Sequence, residues 1–324
     1  MRIITLLKTN NKLTLPIFLE FVELKTKVAS FFPMVIGYLF AAYHFKAFQF
    51  WNTVLFTLAV LSFDMCTTAI NNTMDFKKAL DEEYLRDENV IGKHGLDFRH
   101  MVSIIWMLLC FAIFFSLILV LRTDLLLLPL GVLCFLIGIF YTYGPFPLSR
   151  LPLGELFSGV TMGFGIYFLA IFVQRPEVLL SSQWAGGDIF IHFSWLQTLL
   201  IFFVSLPLVN LIANIMLANN LCDYDQDVRN GRFTLVHYIS VKNGVKLYTF
   251  LNVSAWVFLA VYPILGLIPY WSWLGLLAFP LNLRSLIKFR KKQIKRETFV
   301  ESIKSFVLLS GLYVVILMIA LILK

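Results

Sequence analysis

Charge is what this chain has least of. Only 14% of its 324 residues are Asp, Glu, Lys or Arg, while 59% are hydrophobic; a soluble domain carries about 25% charged residues. That scarcity excludes an ordinary water-soluble globule. Cysteine is also sparse: Cys66, Cys110, Cys134 and Cys222 have no Cys-x-x-Cys spacing. Neither a disulfide framework nor a zinc site is expected, and the thiols read as buried. The five histidines show no ligand spacing and read as loop or packing residues. No small-residue cleavage site follows the first apolar run, which begins only at residue 28. It therefore reads as a retained span and not as a secretory signal.

Long apolar runs are what the chain has instead. A transmembrane helix needs about 20 apolar residues. Candidate runs lie at 28–45, 52–72, 101–121, 124–142, 155–174, 196–217, 247–264, 268–283 and 304–323. The expected fold class is all-α and integral to the membrane, with about nine transmembrane helices in a single polytopic domain, 1–324.

The net charge of +8 does not point to nucleic acid, because its distribution follows the membrane. With the N-terminus inside, 23 of the 27 Lys and Arg fall on one side, and only Lys46, Arg122, Arg175 and Lys324 on the other. The positive-inside rule makes the rich side cytoplasmic. The densest run, RSLIKFRKKQIKRE at 284–297, reads as an orientation anchor that meets anionic lipid.

Two apolar runs end in one polar pattern. INNTMDFKKALDEE at 70–83 and LANNLCDYDQDVRNG at 217–231 both contain Asn-Asn-x-x-Asp. Both emerge on the cytoplasmic side under this topology. Helical residues four apart share a face, so Asn71 aligns with Asp75, and Asn219 with Asp223 and Asp227. Asp225 points elsewhere, to solvent. Asp81 rejoins Asp75 only if the helix ends or bends near Ala79. A carboxylate at bilayer depth costs about 2.5 kcal/mol or more unless it faces a cavity or a partner, and two facing acidic clusters repel. A hard divalent cation resolves both difficulties. Carboxylate and amide oxygens suit Mg²⁺, which commonly bridges a few carboxylates to substrate phosphates.

Basic residues nearby are candidates for gripping phosphate. They are Lys25 and Lys27 before the first span, Lys77, Lys78, Arg86 and Lys93 after the first motif, and Arg229 and Arg232 after the second. Lys93 and Arg229 are favoured, against the plain fact that cytoplasmic loops are basic anyway. The proline-rich stretch GPFPLSRLPLGE at 144–155 reads as a tight connector, flanked by Tyr143 and Glu155, which could reach the same cavity. Within the spans, Asn210 and Asn214 read as helix glue. Gly159 and Gly163 mark a close helix contact. Asp64, deep in the second span, is a functional candidate by default.

Four blocks, NNTMDFKKALDEE, KTKVASFFP at 25–33, YGPFPLSRLPLGELFSG at 143–159 and NNLCDYDQDVRNGRFTL at 219–235, together resemble the UbiA superfamily of intramembrane aromatic prenyltransferases. Within it they are most similar to the 1,4-dihydroxy-2-naphthoate polyprenyltransferase branch. The resemblance implies nine helices around a central cavity, in a multi-pass protein of a bacterial cell membrane with its active site on the cytoplasmic face. It implies a polyprenyl diphosphate whose head is held by Mg²⁺ on Asn71, Asp75, Asp81, Asp223 and Asp227, with Asp75, Asp223 and Asp227 catalytic. Substrate contacts are then expected from Lys25, Lys27, Asn72, Lys78, Arg86, Lys93, Tyr143, Asn219, Asn220 and Arg229. The implied reaction is prenylation of 1,4-dihydroxy-2-naphthoate with loss of carbon dioxide, giving demethylmenaquinone. Departures are Ala79, where relatives have Gly or Asp, Lys25 and Lys27 in place of an Arg-Pro pair, and Phe233 at an often basic position. The alternatives are the same fold acting on 4-hydroxybenzoate, homogentisate or haem, and a cation-coupled transporter, whose sites usually lie at the bilayer midplane.

Overall fold

The computed structural model describes residues 13–78, 85, 89–143, 147–229 and 231–323, without the side chains of Lys25, Lys78 and Thr142. A short helix α1 (Leu15–Phe21) precedes α2 (Val28–His44) and the long α3 (Phe50–Lys78). A one-turn α4 (Val90–His94) leads into α5 (Phe98–Arg122), α6 (Leu127–Thr142) and α7 (Gly154–Phe172). A hairpin of β1 (Leu180–Ala185) and β2 (Asp188–Phe193) follows. The chain then continues through α8 (Trp195–Cys222), α9 (Tyr224–Arg229), α10 (Leu235–Ile239), α11 (Val241–Val261), α12 (Phe279–Lys291) and α13 (Phe299–Ile322).

Among the described residues, six helices are long and apolar enough to cross a membrane: α3, α5, α7, α8, α11 and α13. Helices α2 and α6 are shorter apolar ones. The eighth expected run, 268–283, takes a different form: a 3₁₀ segment from Tyr270 to Ala278 passes into α12, which runs on to Lys291. Pro269 precedes the 3₁₀ segment, and Lys288, Arg290 and Lys291 occupy the last turn of α12, where cations complement the helix dipole. The protein is thus a multi-pass membrane protein. Large apolar side chains such as Trp106, Phe114 and Leu133 remain exposed on α5 and α6. Such outward apolar faces are at home in lipid. Cys110 lies on such a face and is exposed, contrary to the expectation of buried thiols, while Cys66 is buried and Cys134 and Cys222 are half-buried.

The largest core cluster joins α2, α7, α8, α11 and α13 through Phe40, Tyr167, Leu208, Trp256 and Phe306. Close approach of α7 to α8 depends on two glycines. A Cβ at Gly163 would lie 2.6 Å from Val209 Cα, and one at Gly159 would lie 2.7 Å from Val209 O. Around them, Gly159–Gly165 adopts a π-helical stretch. A second cluster ties α1, α3, α4 and α5 together through Phe21, Cys66, Ile91 and Met101. A third, with Leu221, Tyr248 and Phe289, secures the end of α8. Polar links join the helices: Asn210 Nδ2 donates to Ser254 Oγ (2.9 Å) and Asn282 Nδ2 to Asn252 Oδ1 (2.6 Å).

The hairpin departs from an all-helical reading. Gly186 and Gly187, at φ +62° and +93°, form its turn, the positive-φ pair that a two-residue hairpin loop favours. Asp124 tethers it, accepting from Ser182 N (2.8 Å) and Ser182 Oγ (3.0 Å).

Thermal unfolding in detergent tests the α7–α8 contact. Gly163→Leu is expected to destabilise by about 1–3 kcal/mol or more, as overpacking does. Gly131→Ala, whose Cβ meets nothing within 4 Å, should be neutral or stabilise by about 0.5–1 kcal/mol.

Candidate functional site

One face of α3 builds the wall of a cavity of about 780 Å³. Phe56, Ala59, Val60, Phe63, Asp64, Thr67, Thr68, Asn71, Met74 and Asp75 all line it. Their spacing of three and four residues is that of a helix face, and at 1.5 Å per residue it extends about 29 Å. The stripe is apolar toward residue 56 and polar toward residue 75. At the polar end it meets Asn219 from α8, together with Arg150 and Arg232. The C-terminal ends of α3 and α8 therefore open on one mouth, and Asn71, Asp75 and Asn219 share it as the four-residue spacing suggests.

Other members of the first expected set lie elsewhere. Asn72 turns away from the cavity and is buried; its Nδ2 donates to Phe21 O (2.8 Å), and its carbonyl accepts from Asn89 Nδ2 (3.0 Å). It holds α1 and the α4 loop against α3. Lys27 lines the cavity but is itself buried, with Nζ 2.8 Å from Asp64 Oδ1 and 2.5 Å from Thr68 Oγ1. Ser30 Oγ donates to the other oxygen of Asp64 (2.5 Å). The intramembrane carboxylate and the phosphate-gripping lysine thus account for one another as an internal pair. Lys93 is 2.7 Å from Glu20 Oε1, on an exposed surface away from the cavity. Its hydrogen bond holds the Glu20 carboxyl below the usual carboxylate value. Asp81 and Arg86 lie outside the described residues, as do the side chains of Lys25 and Lys78.

The second motif crosses a helix break. Helix α8 ends at Cys222, Asp223 takes the cap position and α9 follows. Asp223 N still donates to Asn219 O (3.0 Å), and Asp227 N to Asp223 O (2.8 Å). The four-residue spacing survives the break, and Asp225 is exposed, as expected. Asp227 is buried. Its Oδ1 lies 3.5 Å from Arg232 Nη1, while its buried Oδ2 has no hydrogen-bond partner among the described residues. Burial pushes the Asp227 carboxyl up to about 6, against the lowering pull of Arg232.

Arg232, not Arg229, serves this mouth. Its Nη2 and Nε donate to Ser149 O (3.0 and 3.3 Å), joining the α6–α7 connector to the motif. Arg229 is exposed and folds back on Asp225 O (3.2 Å). Tyr143 likewise points outward, 51% exposed, and Tyr141 lines the cavity in its place. Asn220 and Glu155 pair behind the wall, Nδ2 to Oε1 at 2.9 Å, both buried.

The residue that sequence reasoning missed is Lys295. Its ammonium donates to Asp223 Oδ2 (2.5 Å) and to Asn219 Oδ1, and lies 4.9 Å from the centroid of the Phe299 ring. It belongs to the run read as an orientation anchor. The only local signal is the four-residue step from Lys295 to Phe299, which lines the cavity. Among the described residues no group of three His, Cys, Asp or Glu converges as a preformed metal cage.

This arrangement places acidic and amide oxygens, with compensating cations, at the end of an apolar trough. The sequence pattern of the UbiA prenyltransferase family matches residues 30–321. The chain belongs to the UbiA prenyltransferase family. It is accordingly a prenyltransferase, and the transporter alternative falls away. Over 273 residues it is 25% identical to 1,4-dihydroxy-2-naphthoate octaprenyltransferase of Bacillus subtilis (strain 168), covering 83% of this chain and 80% of that protein. Solved UbiA homologs share the fold. The apo protein from Aeropyrum pernix K1 superposes with a TM-score of 0.64 at 15% identity, covering 92% of this chain and 98% of that one. The Archaeoglobus fulgidus protein, bound to DMAPP and Mg²⁺, gives 0.63 at 12%, with 95% and 99% covered.

The internal pair is open to a double-mutant test. Lys27→Met should cost about 3–5 kcal/mol by leaving Asp64 unpaired. Adding Asp64→Asn should restore most of that, as read by thermal unfolding of the three variants.

Proposed function

We propose that this UbiA-family enzyme transfers a polyprenyl group from its diphosphate to 1,4-dihydroxy-2-naphthoate, releasing carbon dioxide and diphosphate and giving the diol, the reduced form of demethylmenaquinone. One observation carries the reading: a single cavity has Asn71, Asp75 and Asn219, from the two motifs, at one end and a long apolar stripe of α3 behind them. A substrate with a charged head and an apolar tail requires that juxtaposition. Similarity to the Bacillus subtilis enzyme, whose name specifies this acceptor, supports the choice. The mouth's side of the membrane is the cytoplasmic one, because it carries 23 of the 27 Lys and Arg.

The residues fit Mg²⁺. Asn71, Asp75, Asn219, Asp223 and Asp227 offer oxygen donors alone, and Asp81 extends the set from the sequence. Magnesium is usually bound through one or two carboxylates plus substrate phosphates, not in an all-protein cage, in keeping with the lack of a preformed three-residue cluster among the described residues. Two features support a mouth suited to positive charge: the Lys295 ammonium on Asn219 and Asp223, and the unpartnered Oδ2 of Asp227. Magnesium bound there supplies Lewis-acid stabilisation of the leaving diphosphate.

The chain's own groups do the rest. Arg150, Arg232 and Lys295 donate to diphosphate oxygens, and Arg232 is oriented for this by Ser149 O. The apolar walls keep water from the allylic cation until the electron-rich ring carbon attacks it. The carboxylate on the attacked carbon then leaves as carbon dioxide, and the electron pair of the broken bond returns to the ring and restores the aromatic diol.

Prenyl transfer by the purified protein checks this. With an all-trans polyprenyl diphosphate, the naphthoate and Mg²⁺, product should form, and EDTA should abolish it. Product from 4-hydroxybenzoate alone would move the acceptor and keep the mechanism. Asp75→Ala and Asp223→Ala should each lower kcat roughly 10²-fold or more, the scale of losing one group that stabilises developing charge. Full activity in either variant would remove it from the metal set. Lys295→Ala should raise KM for the diphosphate about tenfold, the weight of one charge-assisted hydrogen bond.

A further inference from the structure

At the other end of α3 from the mouth lies a second cavity, of about 500 Å³, lined by Lys46, Gln49, Asn52, Arg122, Gln174 and Arg175. Asn52 and Asn71 are 19 residues apart on α3, about 29 Å along a helix, so the two cavities open toward opposite membrane faces. Positive charge at this end runs against the distribution of the whole chain. The sequence places only Lys46, Arg122, Arg175 and Lys324 on this side, and the first three all line the same cavity. Among the described residues Glu177 is the single acid in the lining. Among the described residues, no carboxylate lies within ion-pairing distance of these three cations. Nearby Asp124 is engaged by Leu126 N and Ser182 (2.8 Å to each backbone nitrogen).

The floor of the cavity orders the cations. Asn52 is 6% exposed; its Nδ2 donates to Val173 O (2.8 Å) and its Oδ1 accepts from Arg122 Nε (3.0 Å). Gln174, 4% exposed, accepts from Gln49 N (2.6 Å) and donates to Thr53 Oγ1 (3.1 Å). Arg175 Nη1 donates to Phe45 O (3.1 Å). One donor of each guanidinium is engaged in these bonds, and a guanidinium has five. Lys46 is held at φ +53°, a conformation that costs a side-chain-bearing residue about 1–2 kcal/mol. Phe48, itself in the lining, is exposed, as are Phe50, Trp51 and Leu121, each next to a lining residue in sequence, an apolar collar beside the cationic cavity.

We propose that this cavity binds the phosphate headgroup of an anionic phospholipid from the leaflet opposite the active-site mouth. The three cations meet the phosphate oxygens, and the collar meets the acyl chains. Inorganic phosphate shares the oxyanion chemistry but makes no use of the collar. The site is independent of the metal and acceptor assignments.

The test titrates delipidated protein in neutral detergent with phosphatidylglycerol, with phosphatidylcholine of the same chains, and with inorganic phosphate. Thermal unfolding and native mass spectrometry are read together. Phosphatidylglycerol is expected to raise Tm and remain bound, and the other two are not at equal concentration. Lys46→Asn, which suits the left-handed backbone, and Arg175→Gln should each weaken its binding about tenfold with prenyl transfer unchanged. Lys291→Gln, in the basic run on the other face, should leave the same binding event intact. Equal stabilisation by phosphatidylcholine, or undiminished binding in Lys46→Asn and Arg175→Gln, overturns the proposal. Equal protection by inorganic phosphate assigns the cavity to the free ion and overturns the lipid.

Discussion

A polar group inside an apolar bundle must find its partner within the protein or in a ligand, because lipid offers none. This constraint sorts the polar residues of the chain. Those that satisfy one another hold the helices together: Lys27 with Asp64, Thr68 and Ser30, Asn220 with Glu155, and Asn282 with Asn252. Others gather at the mouth where α3 and α8 end, and there the partners are a mixture of protein cations and unfilled oxygens. Asp227 is buried with one oxygen unpaired among the described residues, and burial pushes its carboxyl up to about 6. In the proposed function a bound cation is its partner.

Lys295 links orientation to the proposed chemistry. A basic run beside a span is explained well enough by the positive-inside rule, and most of this run needs no other account. The loop between α12 and α13 nevertheless carries one of its lysines across to Asn219 and Asp223. In the proposed reaction the same ammonium passes from these oxygens to the diphosphate as the substrate enters. The competition between acidic residues and diphosphate for one lysine would keep the mouth neutralised both with and without substrate.

Helix α3 organises both ends of the molecule. Its cavity face runs from apolar to polar over about 29 Å by helical rise, which sets the proposed prenyl tail and diphosphate in line. Its N-terminal end supplies Asn52, around which the second cavity and its cations are arranged. The tight α7–α8 contact at Gly159 and Gly163 lets Asn219 and the connector residues Ser149 and Arg150 approach the same mouth.

Run length and helical period act locally, so the sequence alone determined the multi-pass helical class, the two Asn-Asn-x-x-Asp ends, the shared faces of Asn71 with Asp75 and of Asn219 with Asp223, and the small-residue contact at Gly159 and Gly163. The hairpin was legible only in its Gly-Gly turn, because its strands are too short and too exposed to carry a burial pattern. Tertiary structure decided which of several neighbouring polar residues enters the cavity. Arg232 enters and Arg229 does not, Tyr141 and not Tyr143, Asn71 and not Asn72. Each pair is separated by three residues or fewer, and a modest turn of the backbone chooses between them. Lys27 and Lys295 exchange their expected parts for the same reason: a long side chain reaches a partner dozens of residues away, and only packing determines which partner is within its reach.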